Sequence, residues 1–180
     1  GRIIEALRET GQLDNTIIIF SSDHGLGVGS HGLRGKQNMY EHTINVPLII
    51  AGPHIPQGQI RDAQVYLREL YPTTCELVGI EVPQSVEGKS FAQVLTGQTD
   101  RAHDHVFCYF RDKQMFRDAR WKLIHYPEID RWQLFDLVAD PYEVKDLSGD
   151  ESNALVFARL REALRREQVA AGDPLATNNN

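Results

Sequence analysis

Five consecutive residues, Thr16, Ile17, Ile18, Ile19 and Phe20, form an apolar run dominated by β-branched side chains with no polar alternation. Branching at Cβ favours extended backbone, and the lack of a polar face fits a strand covered on both sides, as in the parallel sheets of α/β proteins. Glycines then recur at Gly25, Gly27, Gly29, Gly32 and Gly35. That stretch is too permissive for helix or strand and reads as a long loop, the kind of connection that usually carries function. A short helix over Met39–Thr43 and a second apolar strand over Pro47–Ala51, ended by Gly52 and Pro53, complete a strand, loop, helix, strand order. Such an order indicates α/β layering.

Upstream, Ile3, Ile4 and Leu7 are spaced for a helix over Arg2–Glu9, with Gly11 placed for its C-terminal cap. Val65 and Leu67 suggest a strand or a helix entry. Tyr71–Gly79 reads as a helix with a proline near its start and a glycine at its end, and Ser90–Leu95 as another, capped by Ser90 and stopped by Gly97. From about His105 the texture changes to four short aromatic and branched runs, Val106–Phe110, Gln114–Arg117, Trp121–Tyr126 and Trp132–Leu137, which predict a small antiparallel sheet. A helix over Glu151–Val169 should follow, with Leu155, Val156, Leu160, Ala163 and Leu164 on its apolar stripe. The expected division is residues 1–100 as part of an α/β domain, 101–172 as a subdomain of antiparallel sheet and helix, and 173–180 as a tail, disordered over Thr177–Asn180.

With 180 residues, 41% of them apolar, the chain can bury a real core. Its net charge of −6 includes no basic block, which argues against nucleic acid as a partner. No apolar run approaches the roughly 18 to 20 residues of a membrane span. The opening Gly1, Arg2, Ile3, Ile4 has neither an initiator methionine nor a signal pattern and enters a helix at once, which reads as a chain cut from a longer one. Compartment is therefore left open, with a periplasmic or secreted location following if a preceding segment held a signal peptide; oligomeric state is equally open. Apolar faces such as Ile17–Phe20 are expected to be partly uncovered. Cys75 and Cys108 fit free thiols better than a disulfide framework.

Asp23 and His24 lie just past the C-terminal end of the first strand, where open α/β sheets hold their ligands. A carboxylate and an imidazole both suit a divalent cation, and Gly25 lets the backbone bend beside them. The bland alternative is that Asp23 caps the next turn and His24 packs on it. Lys36, at the far end of the glycine-rich loop, could reach an oxyanion held by the metal, or be a solvated loop lysine. His31 could line the same pocket as a hydrogen-bond donor or proton carrier, or be satisfied by backbone. His103, Asp104 and His105 read as surface polarity.

Taken in order, Ser21-Ser22-Asp23-His24-Gly25, Gly29-Ser30-His31-Gly32, Gly35-Lys36 and Asn45-Val46-Pro47-Leu48-Ile49 resemble the sulfatase family of the alkaline phosphatase superfamily. The likeness continues through Leu70-Tyr71-Pro72-Thr73, Gly79-Ile80, Pro83, Glu87-Gly88-Lys89-Ser90-Phe91, Leu134-Phe135-Asp136-Leu137, Asp140-Pro141-Tyr142-Glu143 and Asp146-Leu147. It implies the C-terminal part of an alkaline-phosphatase-like sandwich, followed by a small antiparallel sheet and a helix. It also implies a metal-dependent sulfuric-ester hydrolase acting on a small-molecule or glycan sulfate ester, with Asp23 and His24 as metal ligands and Lys36 on the sulfate. Calcium ranks first as the ion, with manganese or zinc also suited to an imidazole.

Many members of that family carry Asn where His24 stands, and the His variant is shared with phosphonate monoester and phosphodiester hydrolases, which form the alternative reading. Sulfatases take their nucleophile from Cys/Ser-x-Pro/Ala-x-Arg, converted to formylglycine. Cys75 is followed by Glu-Leu-Val-Gly and Cys108 by Tyr-Phe-Arg-Asp, so neither fits. The formylglycine and the remaining acidic ligands are expected in a preceding N-terminal part. A non-catalytic module is the third reading.

Overall fold

The computed structural model describes residues 1–173. In chain order the regular elements are α1 (Arg2–Glu9), β1 (Ile18–Ser21), α2 (Glu41–Ile44), β2 (Leu48–Ala51), α3 (Leu70–Val78), α4 (Ala92–Leu95), β3 (Val106–Phe110), β4 (Lys113–Arg117), β5 (Trp121–Tyr126), β6 (Arg131–Asp136) and α5 (Ala154–Ala170). They form two compact units, one built from Gly1–Asp23 and Val46–His103, the other from His24–Asn45 and the chain from Asp104 onward. The glycine-rich loop and α2 thus group with the antiparallel sheet rather than with the strands that flank them in sequence. The tail expected over residues 173–180 lies, but for Asp173, outside the described residues.

In the first unit β1 and β2 pair antiparallel, with Ile18 opposite Ala51 and Ser21 opposite Leu48. A strand covered on both faces in a parallel sheet was the expectation for residues 16–20; instead β1 has a single, antiparallel partner among the described residues, and Phe20 is 59% exposed. An apolar run records that its surroundings are apolar, not which way its neighbour runs. Gly11 takes the left-handed conformation (φ 67°) at the end of α1 and Gly79 (φ 72°) at the end of α3, as their cap positions require. A 3₁₀ turn over Leu67–Glu69 leads into α3. Thr73 Oγ1 donates to Glu69 O at 2.6 Å and accepts from Phe91 N at 3.0 Å, tying α3 to the start of α4. Ser90 Oγ accepts from Ala92 N at 3.1 Å, although the helix there is only four residues long.

The second unit is an antiparallel sheet in the order β3-β4-β5-β6. One apolar cluster (Met115, Ile124, Phe135, Leu137) receives Met39 and Tyr40 from the loop before α2. The other (Phe116, Leu123, Leu134) receives Leu160, Ala163 and Leu164 from α5. The sheet therefore has two apolar faces, one covered by the helix and one by the loop segment. Leu155, placed on the helix stripe by its spacing, is instead 87% exposed, because it lies in the first turn, where the helix packs through Val156 and Phe157. Neither cysteine is in a disulfide; Cys75 is buried and Cys108 half-buried. No helix among the described residues is long and apolar enough to cross a membrane.

Candidate active site

The glycine-rich loop doubles back on itself. Gly27 N donates to Gly35 O at 2.9 Å and Gly29 N to Leu33 O at 2.8 Å, while Gly32 N returns to Gly29 O at the tip. Gly29 (φ 95°), His31 (φ 54°) and Gly32 (φ 69°) supply the left-handed residues that this reversal needs. The rungs bring Lys36 back beside the start of the loop, where its Nζ lies 2.6 Å from His24 Nε2. Twelve residues of sequence separation are cancelled by the hairpin.

His24 is oriented by its own neighbour. Its Nδ1 is 2.9 Å from Gly25 O, and a carbonyl can only accept, so Nδ1 carries the hydrogen and Nε2 keeps its lone pair. The Lys36 ammonium donates to that lone pair. A nitrogen offered to a cation, with the opposite nitrogen fixed by a backbone carbonyl, is the arrangement of metal-binding histidines. The imidazole therefore fits a metal ligand, and the ammonium marks where positive charge is accepted.

Gly25 is held in turn: its N–H donates to Thr43 O at 2.8 Å, and a Cβ at this position would come 1.9 Å from His42 O. Only glycine allows the chain leaving His24 to pass so close to α2. Asp23, exposed, closes the first unit two residues after β1. Among the described residues no three His, Cys, Asp or Glu side chains are gathered so as to hold one ion.

His31 sits exposed at the loop tip, with its ring stacked on Tyr40 (centroids 3.9 Å apart, planes 6° apart). Tyr40 OH donates to Gln133 Oε1 at 2.9 Å, fixing the stack to β6. His42 lies beside this pair, 5.5 Å from His31 and 5.7 Å from Tyr40, and burial, followed by the charges of His31 and Lys122, holds its pKa below the usual histidine value. Tyr126, beneath, has its phenol pushed well above the ordinary range by burial and by Tyr40.

The histidines read as surface polarity have structural partners. His103 Nε2 is 2.8 Å from Oε1 of the buried Glu69, whose Oε2 accepts from Tyr66 N. His105 pairs with Glu167 at 3.0 Å and stacks on Phe116. A buried group that sequence reasoning missed stands behind the loop. Lys122, 0% exposed and the second residue of β5, is 2.6 Å from both Glu41 Oε1 and Glu143 Oε1 and 3.1 Å from Met39 O. A lysine flanked by Trp121, Leu123 and Ile124 in a strand was the available signal, since a buried ammonium demands counter-ions.

Residues 29–170 match the profile of the family described as N-sulphoglucosamine sulphohydrolase, C-terminal. The chain belongs to the sulfatase family. An N-acetylglucosamine-6-O-sulfatase of Bacteroides thetaiotaomicron is 34% identical to this sulfatase chain over 182 residues, covering 93% of the chain and 33% of the relative. A solved structure of a protein in complex with its substrate D-glucosamine-2-N,6-O-disulfate superposes with a TM-score of 0.88 at 30% identity, over 100% of this chain and 39% of that one. The phosphonate monoester hydrolase of Silicibacter pomeroyi superposes with a TM-score of 0.81 at 28% identity, over 94% of this chain and 38% of that one. The sulfatase chain thus spans about a third of the length of the curated relatives it matches. Its fold is that of the C-terminal portion of these enzymes.

Proposed function

We propose that the protein carrying this chain hydrolyses sulfuric esters, with a sulfated sugar as the substrate class, and that the chain supplies Asp23 and His24 to a divalent metal and Lys36 to the sulfate. The observation that carries this reading is the His24 imidazole, fixed by Gly25 O, with its Nε2 turned to the Lys36 ammonium. Family membership and the sulfated glucosamine bound by a structural neighbour support the substrate class. A bound divalent ion would supply Lewis-acid polarisation of the sulfate oxygens. Oxygen ligation by Asp23 suits calcium, and the imidazole suits manganese or zinc as well.

Lys36 holds its positive charge on a flexible stem beside the ligand histidine, so it can follow charge that develops on a sulfate oxygen. His24 turns Nδ1 to Gly25 O, so Nε2, now in contact with Lys36, is the nitrogen that would meet the metal. His31, exposed at the tip and stacked on the Tyr40 ring, would meet substrate as a hydrogen-bond donor or proton carrier; its exposure supports this reading. The nucleophile, a formylglycine in this reading, comes from outside these residues.

The test uses the full-length gene product. Asp23→Ala should remove bound metal and activity together, whereas Lys36→Ala should lower kcat by about 10²- to 10³-fold with metal content unchanged. Retention of activity in both variants refutes the site assignment. Because His24 stands where many sulfatases carry Asn, and a phosphonate monoester hydrolase shares the fold, aryl phosphonate is the second substrate to assay. Faster cleavage of aryl phosphonate than of aryl sulfate would transfer the assignment to that reaction.

A further inference from the structure

Behind the loop, four charged side chains balance one another: Lys122 and Arg117 against Glu41 and Glu143. Lys122 donates to Glu143 Oε1 and Met39 O, at 2.6 and 3.1 Å, and its ammonium forms an ion pair with Glu41 Oε1 at 2.6 Å. Glu143, 2% exposed and in the left-handed region at φ 58°, turns its second oxygen to Glu41 N at 2.7 Å. Arg117 donates to Glu41 Oε2 at 3.0 Å. The backbone N–H and the side chain of Glu41 are thus both gripped from the sheet side. Two residues on, Thr43 O accepts from Gly25 N, the peptide adjoining His24.

We propose that this quartet, through Glu41 and the Thr43 to Gly25 hydrogen bond, positions the His24 imidazole for metal binding, and that Glu143 is a positioning residue of the site. The inference rests on the reading of His24 as a metal ligand. Two observations separate it from simple packing. β5 is already paired on both sides, by β4 and β6, and needs no buried charge to hold its place. Buried ion pairs add little stability over apolar replacements of the same shape, whereas their directional bonds fix where a segment sits. The segment fixed here is the loop, whose buried apolar anchors on the sheet are Met39 and Tyr40.

Groups behind a metal ligand typically change affinity by 10- to 100-fold when removed. The experiment is titration of the metal-depleted full-length protein with Mn²⁺, free ion being read by electron paramagnetic resonance. Glu143→Gln should weaken Mn²⁺ binding by about tenfold or more. His24→Ala should weaken it at least as much, and the double variant should bind no more weakly than His24→Ala alone, because Glu143 acts through that ring. Leu160→Ala, which destabilises the same unit on the α5 side, should leave the affinity unchanged. Where Glu143→Gln does not fold, Lys122→Met with Glu143→Leu removes both charges while keeping an apolar fill, and the same pattern is expected.

An affinity within twofold of the parent in Glu143→Gln overturns the proposal. So does an undiminished effect of Glu143→Gln in the His24→Ala background, or an equal loss in Leu160→Ala. Unchanged binding in His24→Ala alone refutes the ligand reading and the positioning role with it. A loss in His24→Ala without one in Glu143→Gln refutes the positioning role only.

Discussion

Replacing Gly25 by alanine would set a Cβ 1.9 Å from the His42 carbonyl oxygen, 2.9 Å from the carbon of that carbonyl and 3.3 Å from Thr43 Cα. All three are backbone atoms, so no side chain can swing aside. Ordinary contact at 3.4 Å would require the carbonyl to retreat by about 1.5 Å, which is incompatible with the 2.8 Å bond from Gly25 N to Thr43 O. Forced overpacking costs about 1 to 3 kcal/mol, and the lost hydrogen bond about 1 kcal/mol. Together about 2 to 4 kcal/mol of local stability should disappear, a fall of roughly 30- to 700-fold in the closed-to-open ratio of the loop at about 1.4 kcal/mol per tenfold.

Amide hydrogen exchange over residues 24–45 reads that ratio directly. Gly35→Ala is the matched control: it lies in the same loop, no atom comes within 4 Å of its Cβ, and its φ is not positive. Its protection should stay within threefold of the parent. Equal losses in the two variants, or near-parental protection in Gly25→Ala, would refute the steric account.

Burial lowers the pKa of His125, assisted by Arg161 and opposed by Asp130. The native state therefore holds the ring neutral, and its contribution to stability is present above the unfolded value near 6.5 and is lost as the pH falls toward the folded value. The melting temperature should drop between pH 7 and pH 5, and His125→Gln should shrink that drop without abolishing it, since His42 is shifted in the same direction; an identical drop in parent and variant would contradict the assignment. Leu160→Ala, at a fully buried position against Phe116, Leu123 and Leu134, should cost about 2 to 5 kcal/mol. Leu155→Ala, on the same helix but exposed, should stay within about 0.5 kcal/mol by thermal unfolding.

Strands β3 to β6 and helix α5 were legible because their periodicity and turn residues are local properties; Val106–Phe110 and Trp121–Tyr126 match to the residue. Gly25 was legible as a bend for the same reason. The direction of β1 against β2 was not, since an apolar run specifies burial and not the sense of its partner. Family likeness put His24 and Lys36 at one site, but their direct contact was not expected, since the rungs that produce it are backbone bonds with no residue signature. Glu143 carries no local signal that marks it off from its neighbour Tyr142 or from Asp140, yet it is a buried counter-ion. Its partners Lys122 and Glu41 lie 21 and 102 residues away, beyond the reach of any local pattern.

The charge balance behind the loop also constrains how this protein can change over generations. Loss of Lys122 alone strands Glu143 inside the fold and leaves Glu41 with Arg117 as its counter-ion, and loss of either carboxylate leaves the ammonium short of a counter-ion. Each single step passes through a destabilised intermediate of about 3 to 5 kcal/mol, a large share of what a domain of this size can spare. Related sequences should therefore keep positions 41, 122 and 143 charged as a set or exchange them as a set, and the three should covary although they are scattered along the chain.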